Sequence, residues 1–355
     1  MINVLVVDDS ALVRKLIGKV FATQADFQVS FARNGKEALA SIAAAVPDVV
    51  TLDVHMPEMD GLSCLDRIMV EHPCPVIMVS SMTADGANAT LEALRLGAVD
   101  FVAKPTGAVS LRIDEMAPEL IEKVRQAAGV RLKRSSRLRE KVRHRIGAGR
   151  LAPRRTRTGS KPAATGDGLV LVGSSTGGPP ALEALLTALP ASFPWPVLVA
   201  QHMPATFTGP LSRRLDGLCE LTVMEVREPA LLRAGSVYVA RGDADIVVSR
   251  RGAGLVAVAA PSVADYPWHP SADRLVRSAL NHMAPSQLIG ILMTGMGNDG
   301  AEAMTLLHSR GGRTIAEAEE TAVVWGMPGE LVKAGGADFV LPVHEIATQL
   351  QKLVP

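Results

Sequence analysis

Two groups of side chains in this chain have types and spacing suited to chemistry. In the C-terminal half, Ser175, His202 and Asp299 each stand just beyond an apolar run, in "LVLVGSS", "PVLVAQH" and "LIGILMTGMGND". A hydroxyl, an imidazole and a carboxylate are the parts of a nucleophile, its base and the group that orients the base. In the N-terminal half, Asp8, Asp9 and Asp53 also end apolar runs, and Ser80 and Lys104 end two more. Like-charged carboxylates brought together repel unless a divalent cation sits among them. Hard oxygen ligands suit Mg2+, which also engages phosphoryl oxygens. Asp53 is then a carboxylate nucleophile for phosphoryl transfer. Lys104 supplies a point charge to the phosphoryl group, and Ser80 a hydrogen bond.

The serine lies in "VGSSTGGPP", residues 172–180. A Walker loop needs a Lys that is missing here, and a dinucleotide fingerprint needs a glycine spacing that Gly173, Gly177 and Gly178 do not have. A generic anion site at a helix N-terminus stays open. The pattern Gly-x-Ser-x-Gly fits residues 173–177 with Ser175 at its centre, on a sharp strand-to-helix turn. Taken singly, a histidine at a strand end such as His202 is more often structural, and Asp299 reads equally well as a helix N-cap. Together at three strand ends they form a plausible nucleophile, base and orienting carboxylate. Their chain order, Ser then His then Asp, is not that of the familiar serine hydrolases.

These side chains need a scaffold that gathers strand ends. Residues 1 to about 124 alternate short apolar runs ("NVLVVD", "VVTLD", "PVIMVS", "FVAKP") with amphipathic segments such as "ALVRKLIGKVFA". That alternation predicts a parallel sheet with right-handed crossovers, whose carboxyl-end face collects ligands. A second α/β pattern begins at Leu169, with "ALEALLTAL" and "AEAMTLLHSRG" as helices. Within it, "GSVYVARGDADIVVSRRGAGLVAVA" alternates between turn residues, which predicts an antiparallel β-meander beside the parallel sheet. The expected domains are 1–124, a linker over 125–166, and 167–355.

Between the halves, residues 131–161 hold thirteen Lys or Arg against one acid, Glu140. Gly, Pro, Ser and Thr follow, so the stretch reads as a solvated spacer. Its charge is also the feature a DNA-binding regulator would show. Such a protein carries a compact helical output domain, not a long α/β one with a triad. Overall the 355 residues are nearly neutral, with formal charge +1, 48 % hydrophobic and 21 % charged residues. This excludes a global pull toward nucleic acid or membrane. Cys64, Cys74 and Cys219 form no Cys-x-x-Cys pair and read as buried thiols of a reducing compartment. No run of about 18 apolar residues and no signal peptide is present, so a cytoplasmic protein without membrane insertion is expected.

The motifs "VVDDS", "LDVHMPEMDG", "MVSS" and "FVAKP" resemble the receiver domain of two-component response regulators. The resemblance implies a flavodoxin-like fold with Asp53 as phosphoacceptor. It implies Mg2+ held by Asp9, Asp53 and the backbone carbonyl of His55, with Asp8 in support through water. Phe101 stands where such domains carry a switching aromatic.

The second half resembles the chemotaxis protein-glutamate methylesterase family, which also acts as protein-glutamine glutaminase. The matching stretches are "GSSTGGP", "QHMP", "VYVA" followed by "GD", "HPSADRLVRSA", "LMTGMGNDGA" and "GMPGELVKAGGAD". The resemblance implies a doubly wound parallel sheet, a triad of Ser175, His202 and Asp299, and assistance at the oxyanion from Thr176 and the Met296 backbone. Ester hydrolysis there needs no cofactor. The implied partners are methyl-accepting chemotaxis receptors as substrate and a chemotaxis histidine kinase as phosphodonor, with no nucleic acid. Phosphorylation of Asp53 would relieve occlusion of the esterase by the receiver. Arg241 and Glu317-Ala318 depart from the pattern, which has Pro and Gln-Asp there.

Overall fold

The computed structural model describes residues 1–105, 109–130, 168–252 and 254–354, without the side chains of 109–112. The basic stretch 131–161 lies outside them. The chain divides into two compact units, Met1–Pro153 and Arg154–Pro355. Among the described residues no helix is long and apolar enough to cross a membrane.

The first unit alternates β1 (Ile2–Val7), α1 (Ala11–Ala22), β2 (Phe27–Ala32), α2 (Gly35–Ala44), β3 (Val49–Asp53), α3 (Gly61–Glu71), β4 (Val76–Ser81), α4 (Ala84–Leu96), β5 (Asp100–Lys104) and α5 (Val109–Ala128). The five strands are parallel in the order β2-β1-β3-β4-β5. The helices start where short polar side chains accept free backbone N–H groups. Ser10 accepts from Val13, Asn34 from Glu37, Asp60 from Ser63 and Thr83 from Gly86. β3 is buried at every position, as a central strand covered on both faces must be. The order reverses between β1 and β3, and this is the crevice where a ligand site is expected. Asp8 and Asp53 stand there.

The second unit is built on a seven-stranded parallel sheet. Its strands are β6 (Leu169–Ser174), β7 (Val197–Gln201), β8 (Thr222–Val226), β10 (Ser236–Ala240), β13 (Leu288–Leu292), β14 (Arg313–Glu317) and β15 (Phe339–Leu341). They run in the order β15-β14-β13-β6-β7-β10-β8. The helices are α6 (Gly178–Leu186), α7 (Ala205–Leu218), α8 (Ala272–Leu280), α9 (Ala301–Ser309), α10 (Met327–Lys333) and α11 (Val343–Leu353). The chain starts at β6 in mid-sheet, winds toward β8, and returns to the other side of β6 with β13. The switch point therefore falls between β6 and β13. All six residues of β6 are buried, and Leu171, Leu198, Tyr238 and Leu292 lie in one apolar core. Truncating one of these leucines to Ala is expected to cost about 2–5 kcal/mol.

The antiparallel element differs from the expected meander. "VYVA" is β10, a central parallel strand between β7 and β8. Only β11 (Ala244–Arg251) and β12 (Gly254–Pro261) form the antiparallel hairpin, with the two-residue β9 (Ala230–Leu231) on the far side of β12. β10 has the apolar alternation and flanking turns of a hairpin strand, but it pairs in parallel with β8, and with β7 some forty residues earlier. Tyr238 fixes it from within. Its hydroxyl donates to the Leu231 carbonyl at 2.7 Å and accepts the Arg233 N–H at 3.0 Å.

Candidate active site

The serine turn follows directly from β6. Ser174 pairs with Gln201 in the β6–β7 register, so Ser175 and His202 come next on adjacent strands, about 4.8 Å apart at the backbone. The Ser175 N–H donates to the Thr294 carbonyl at 3.0 Å. Its carbonyl accepts the Gly178 N–H at 2.7 Å and the Gln201 amide Nε2 at 3.0 Å. Gly177 has φ +77, and its left-handed turn sends the chain into α6, which opens with Gly178 and two prolines. Gly295 presses on the turn from the β13 side: a Cβ there would lie 2.8 Å from the Ser175 Cβ.

The two neighbouring serines have different surroundings. Ser174 is fully buried and its hydroxyl donates to Gln201 Oε1 at 2.7 Å. Ser175 is half-buried. Its hydroxyl sits on the turn that joins the strand to the helix N-terminus, where the helix dipole favours developing negative charge. Thr176 is buried, and its carbonyl accepts the Thr294 hydroxyl at 2.8 Å. Met296 lies between Gly295 and Gly297 in the loop after β13, and Gly297 abuts the Trp268 ring.

His202 presents Nε2 to Asp299 Oδ2 at 2.8 Å. Its Nδ1 is buried and has no hydrogen-bond partner. The ring lies parallel to the indole of Trp268, with a 2° interplanar angle and 6.2 Å between centroids. Asp299 does not cap its own helix: α9 begins after Gly300 with no side-chain cap. Instead it accepts from the start of α8, from the Ser271 hydroxyl at 2.9 Å, the Ala272 N–H at 2.6 Å and the Asp273 N–H at 3.1 Å. Burial pushes the Asp299 carboxyl up, but the His202 imidazole and these backbone donors outweigh it and hold the group below the usual carboxylate range. Asp273 returns the contact by accepting the Ala303 N–H of α9 at 2.8 Å, so each helix start is capped by the other's acid.

Of the residues expected from sequence, His202 and Asp299 are in contact and Ser175 follows the strand next to that of His202, while the residues that support them were not expected. Thr294, at the end of β13, has its N–H on Glu317, its carbonyl on Ser175 and its hydroxyl on Thr176. Ser271 carried a legible signal, a serine opening an amphipathic helix with Asp273 in the first turn. Nothing local indicated that it would meet Asp299, 28 residues on.

In the first unit, ligand atoms of Asp8, Asp9 and Asp53 all lie within 4.8 Å of one another. Lys104 Nζ reaches Asp8 at 2.8 Å and Asp53 at 2.9 Å. Burial pushes the Asp53 carboxyl up, Lys104 pulls it down and Asp8 adds to the rise. Three carboxylates against one ammonium leave a surplus of negative charge, and the exposed Asp9 completes an all-oxygen donor set that fits Mg2+. Ser80 is buried, with its hydroxyl donating to the Gly86 carbonyl at 3.2 Å, and Phe101 is buried beneath Lys123. The His55 side chain is exposed.

Both units are similar to known proteins. The CheB methylesterase family model matches residues 170–350 and the response regulator receiver domain model matches residues 4–113. A protein-glutamate methylesterase/protein-glutamine glutaminase of Rhodopseudomonas palustris (strain BisB18) is 55 % identical, over 98 % of this chain and 96 % of its own length. One from Rhodospirillum rubrum is 51 % identical over 99 % and 95 %. The crystal structure of the Thermotoga maritima CheB methylesterase catalytic domain is 37 % identical, covering 54 % of this chain and all of that one, with a TM-score of 0.51.

Proposed function

This chain belongs to the CheB methylesterase family, with a response regulator receiver domain ahead of the esterase, and from that premise we propose how its residues perform the reaction. The enzyme removes methyl groups from glutamate γ-methyl esters and deamidates glutamines on methyl-accepting chemotaxis receptors, and it is activated by phosphorylation. The receiver occupies residues 1–124 and the catalytic domain 167–355 in our reading.

The observation that carries the residue assignment is the His202–Asp299 pair, with Nδ1 left buried and unpartnered beside the serine turn. Asp299 holds the proton on Nε2, so the Nδ1 lone pair is the base. Nδ1 takes the Ser175 hydroxyl proton as Oγ attacks the ester carbonyl carbon. The tetrahedral oxyanion is met by the N–H groups of Thr176 and Met296. The Met296 N–H donates to no backbone carbonyl among the described residues. Nδ1–H then protonates the departing methoxide, and methanol leaves. Water, deprotonated by the same nitrogen, splits the acyl-enzyme to free glutamate and restore Ser175. With a γ-amide the leaving group is ammonia.

In the receiver, Asp53 accepts the phosphoryl group, Lys104 neutralises its charge, and Ser80 and Phe101 respond to it. Asp9, Asp53 and the His55 carbonyl would hold Mg2+, with Asp8 in support. When bound, the ion supplies charge neutralisation at the phosphoryl oxygens. The phosphodonor is a chemotaxis histidine kinase, and the site of action is the cytoplasm. Methanol release from methylated receptor membranes tests the esterase half. Loss of activity in Ser175→Ala is expected, and retained activity would overturn the assignment.

A further inference from the structure

The antiparallel hairpin has no place in the triad, yet one of its side chains reaches toward it. Asp245, at the start of β11, is fully buried as a side chain. Its Oδ1 accepts the Ser271 N–H at 2.7 Å and faces His269 Nδ1 at 3.0 Å, and its Oδ2 accepts Arg274 Nη1 at 2.6 Å. Arg274 Nη1 also donates to the Pro261 carbonyl at the end of β12. The hairpin thus grips the segment 269–274 from one side, by a charge-assisted pair and a backbone hydrogen bond.

Ser271 passes that grip on. Its hydroxyl proton goes to Asp299 Oδ1, and its oxygen accepts the Arg274 N–H at 3.2 Å. A hydroxyl has one proton, and here its direction is fixed at both ends. Asp299 then holds four donors: Ser271 Oγ and the Asp273 N–H on Oδ1, and the Ala272 N–H and His202 Nε2 on Oδ2. Three of the four come from the first turn of α8. They fix the plane of the carboxylate, and the plane fixes the line along which Nε2–H must point.

We propose that Ser271 and Asp245 are positioning residues of the esterase, which set the orientation and basicity of Asp299 and through it the tautomer of His202. The hairpin is the brace that holds the start of α8 against the triad. This reading rests on the assignment of Ser175, His202 and Asp299 above. Neither residue touches substrate. Ser271 acts because its proton draws charge from Asp299. Without it, Asp299 carries more charge on the side facing Nε2 and holds the imidazolium formed in the reaction more firmly. The groups around this network are Trp268 on the His202 ring, Asp273 and its Ala303 contact beside Asp299, and His269 and Arg274 on Asp245.

The experiment measures methanol release from methylated receptor membranes by the full-length enzyme, as kcat, KM and pH profile, for Ser271→Ala, Ser271→Thr and Ser175→Ala. Ser271→Ala should lower kcat by about 10–100-fold, the worth of a hydrogen bond to a charged group, with KM little changed. Its acid limb should move to higher pH. Ser271→Thr keeps the hydroxyl and should restore both. Wild-type kcat with an unmoved acid limb in folded Ser271→Ala would overturn the proposal, provided Ser175→Ala is inactive. An active Ser175→Ala would instead overturn the triad beneath it. If Ser271→Ala loses its cooperative thermal transition, Ser271→Cys, a close isostere with a weak donor, decides on the same two readouts. For Asp245→Asn, a lowered kcat with the same shift of the acid limb supports the brace, and an unchanged profile counts against it.

Discussion

His202 offers Nε2, not Nδ1, to Asp299, at 2.8 Å, and keeps Nδ1 buried without a partner. The acceptor at Nε2 favours the tautomer with its proton there, which leaves the lone pair on the buried Nδ1. Asp299→Asn tests this. The carboxamide would keep the size and, on its oxygen, the Ser271 and Asp273 contacts, while its NH2 in place of Oδ2 turns an N–H toward Nε2 and gives up the Ala272 N–H. The ring proton would then move to Nδ1 and block the base. We expect kcat for methanol release to fall by about 10³–10⁴-fold, the scale seen when a triad carboxylate is so changed elsewhere, with a lowered but still cooperative thermal transition because the Ala272 N–H loses its acceptor. A loss of less than tenfold would mean that Asp299 does not set the tautomer.

Ser174 and Ser175 should separate cleanly by substitution. The Ser174 hydroxyl is buried against Gln201 Oε1 at 2.7 Å, and the same Gln201 amide supports the Ser175 carbonyl. Ser174→Ala leaves a buried acceptor unsatisfied, at a cost of about 1–3 kcal/mol. It should lower the melting temperature yet release methanol. Ser175→Ala should melt near the wild type and release none. If Ser174→Ala were the dead variant and Ser175→Ala the active one, the nucleophile would have to be reassigned.

The strand-end residues were legible because a central parallel strand is buried on both faces. Its sequence is then a continuous apolar run, and the first polar residue after it marks the ligand face. Asp53 after "VVTL" closes its strand in this way, and His202 stands one residue beyond the first polar residue, Gln201. β10 was misread for a physical reason. It pairs in parallel with β7, some forty residues earlier, and with the nearer β8, and no local pattern distinguishes such parallel pairing from a hairpin. The outer strand β2, half-exposed with Phe31 on the surface, gave too weak an apolar run to stand out. The supports of the triad were illegible for another reason. Ser271, Thr294 and Asp245 are ordinary residue types whose meaning lies in which distant backbone groups they meet.

Lys104 bridges Asp8 and Asp53 in the receiver. Lys104→Gln would leave two buried carboxylates without their cation. Breaking such a pair costs about 3–5 kcal/mol when fully buried, and less here because Lys104 stays partly exposed. The receiver should melt at lower temperature at neutral pH, and millimolar Mg2+ should restore part of the loss. No recovery with Mg2+ would argue against the acidic cluster as a cation site.

Asp53→Asn should remove the whole increment in methanol release that a small phosphodonor with Mg2+ produces in the wild type. Basal release should be kept, because Ser175, His202 and Asp299 all lie in the other unit. Stimulation that survived in Asp53→Asn would place the phosphoacceptor elsewhere.

Glu317 gives a pH test of the brace behind the serine turn. It is 1 % exposed at the end of β14, with Oε2 accepting the Thr294 N–H at 2.8 Å and Oε1 the Thr321 hydroxyl at 3.0 Å. Burial pushes its carboxyl above the usual range, and the two hydrogen bonds offset only part of that. A carboxyl raised in the folded state contributes stability that is fully present below the unfolded value, about 4.3, and is lost as pH rises through the folded value. Glu317→Gln keeps the volume and an acceptor for Thr294, while the Thr321 hydroxyl can turn to accept from the new amide. It does not ionise. The stability difference, variant minus wild type, should therefore grow as pH is raised from about 4 and level off once the wild-type carboxyl is fully ionised. Denaturant unfolding of the full-length pair across that range measures it. A difference that stayed constant would mean that Glu317 titrates as it does in water, and that Thr294 is held against Ser175 without any strain from a buried charge.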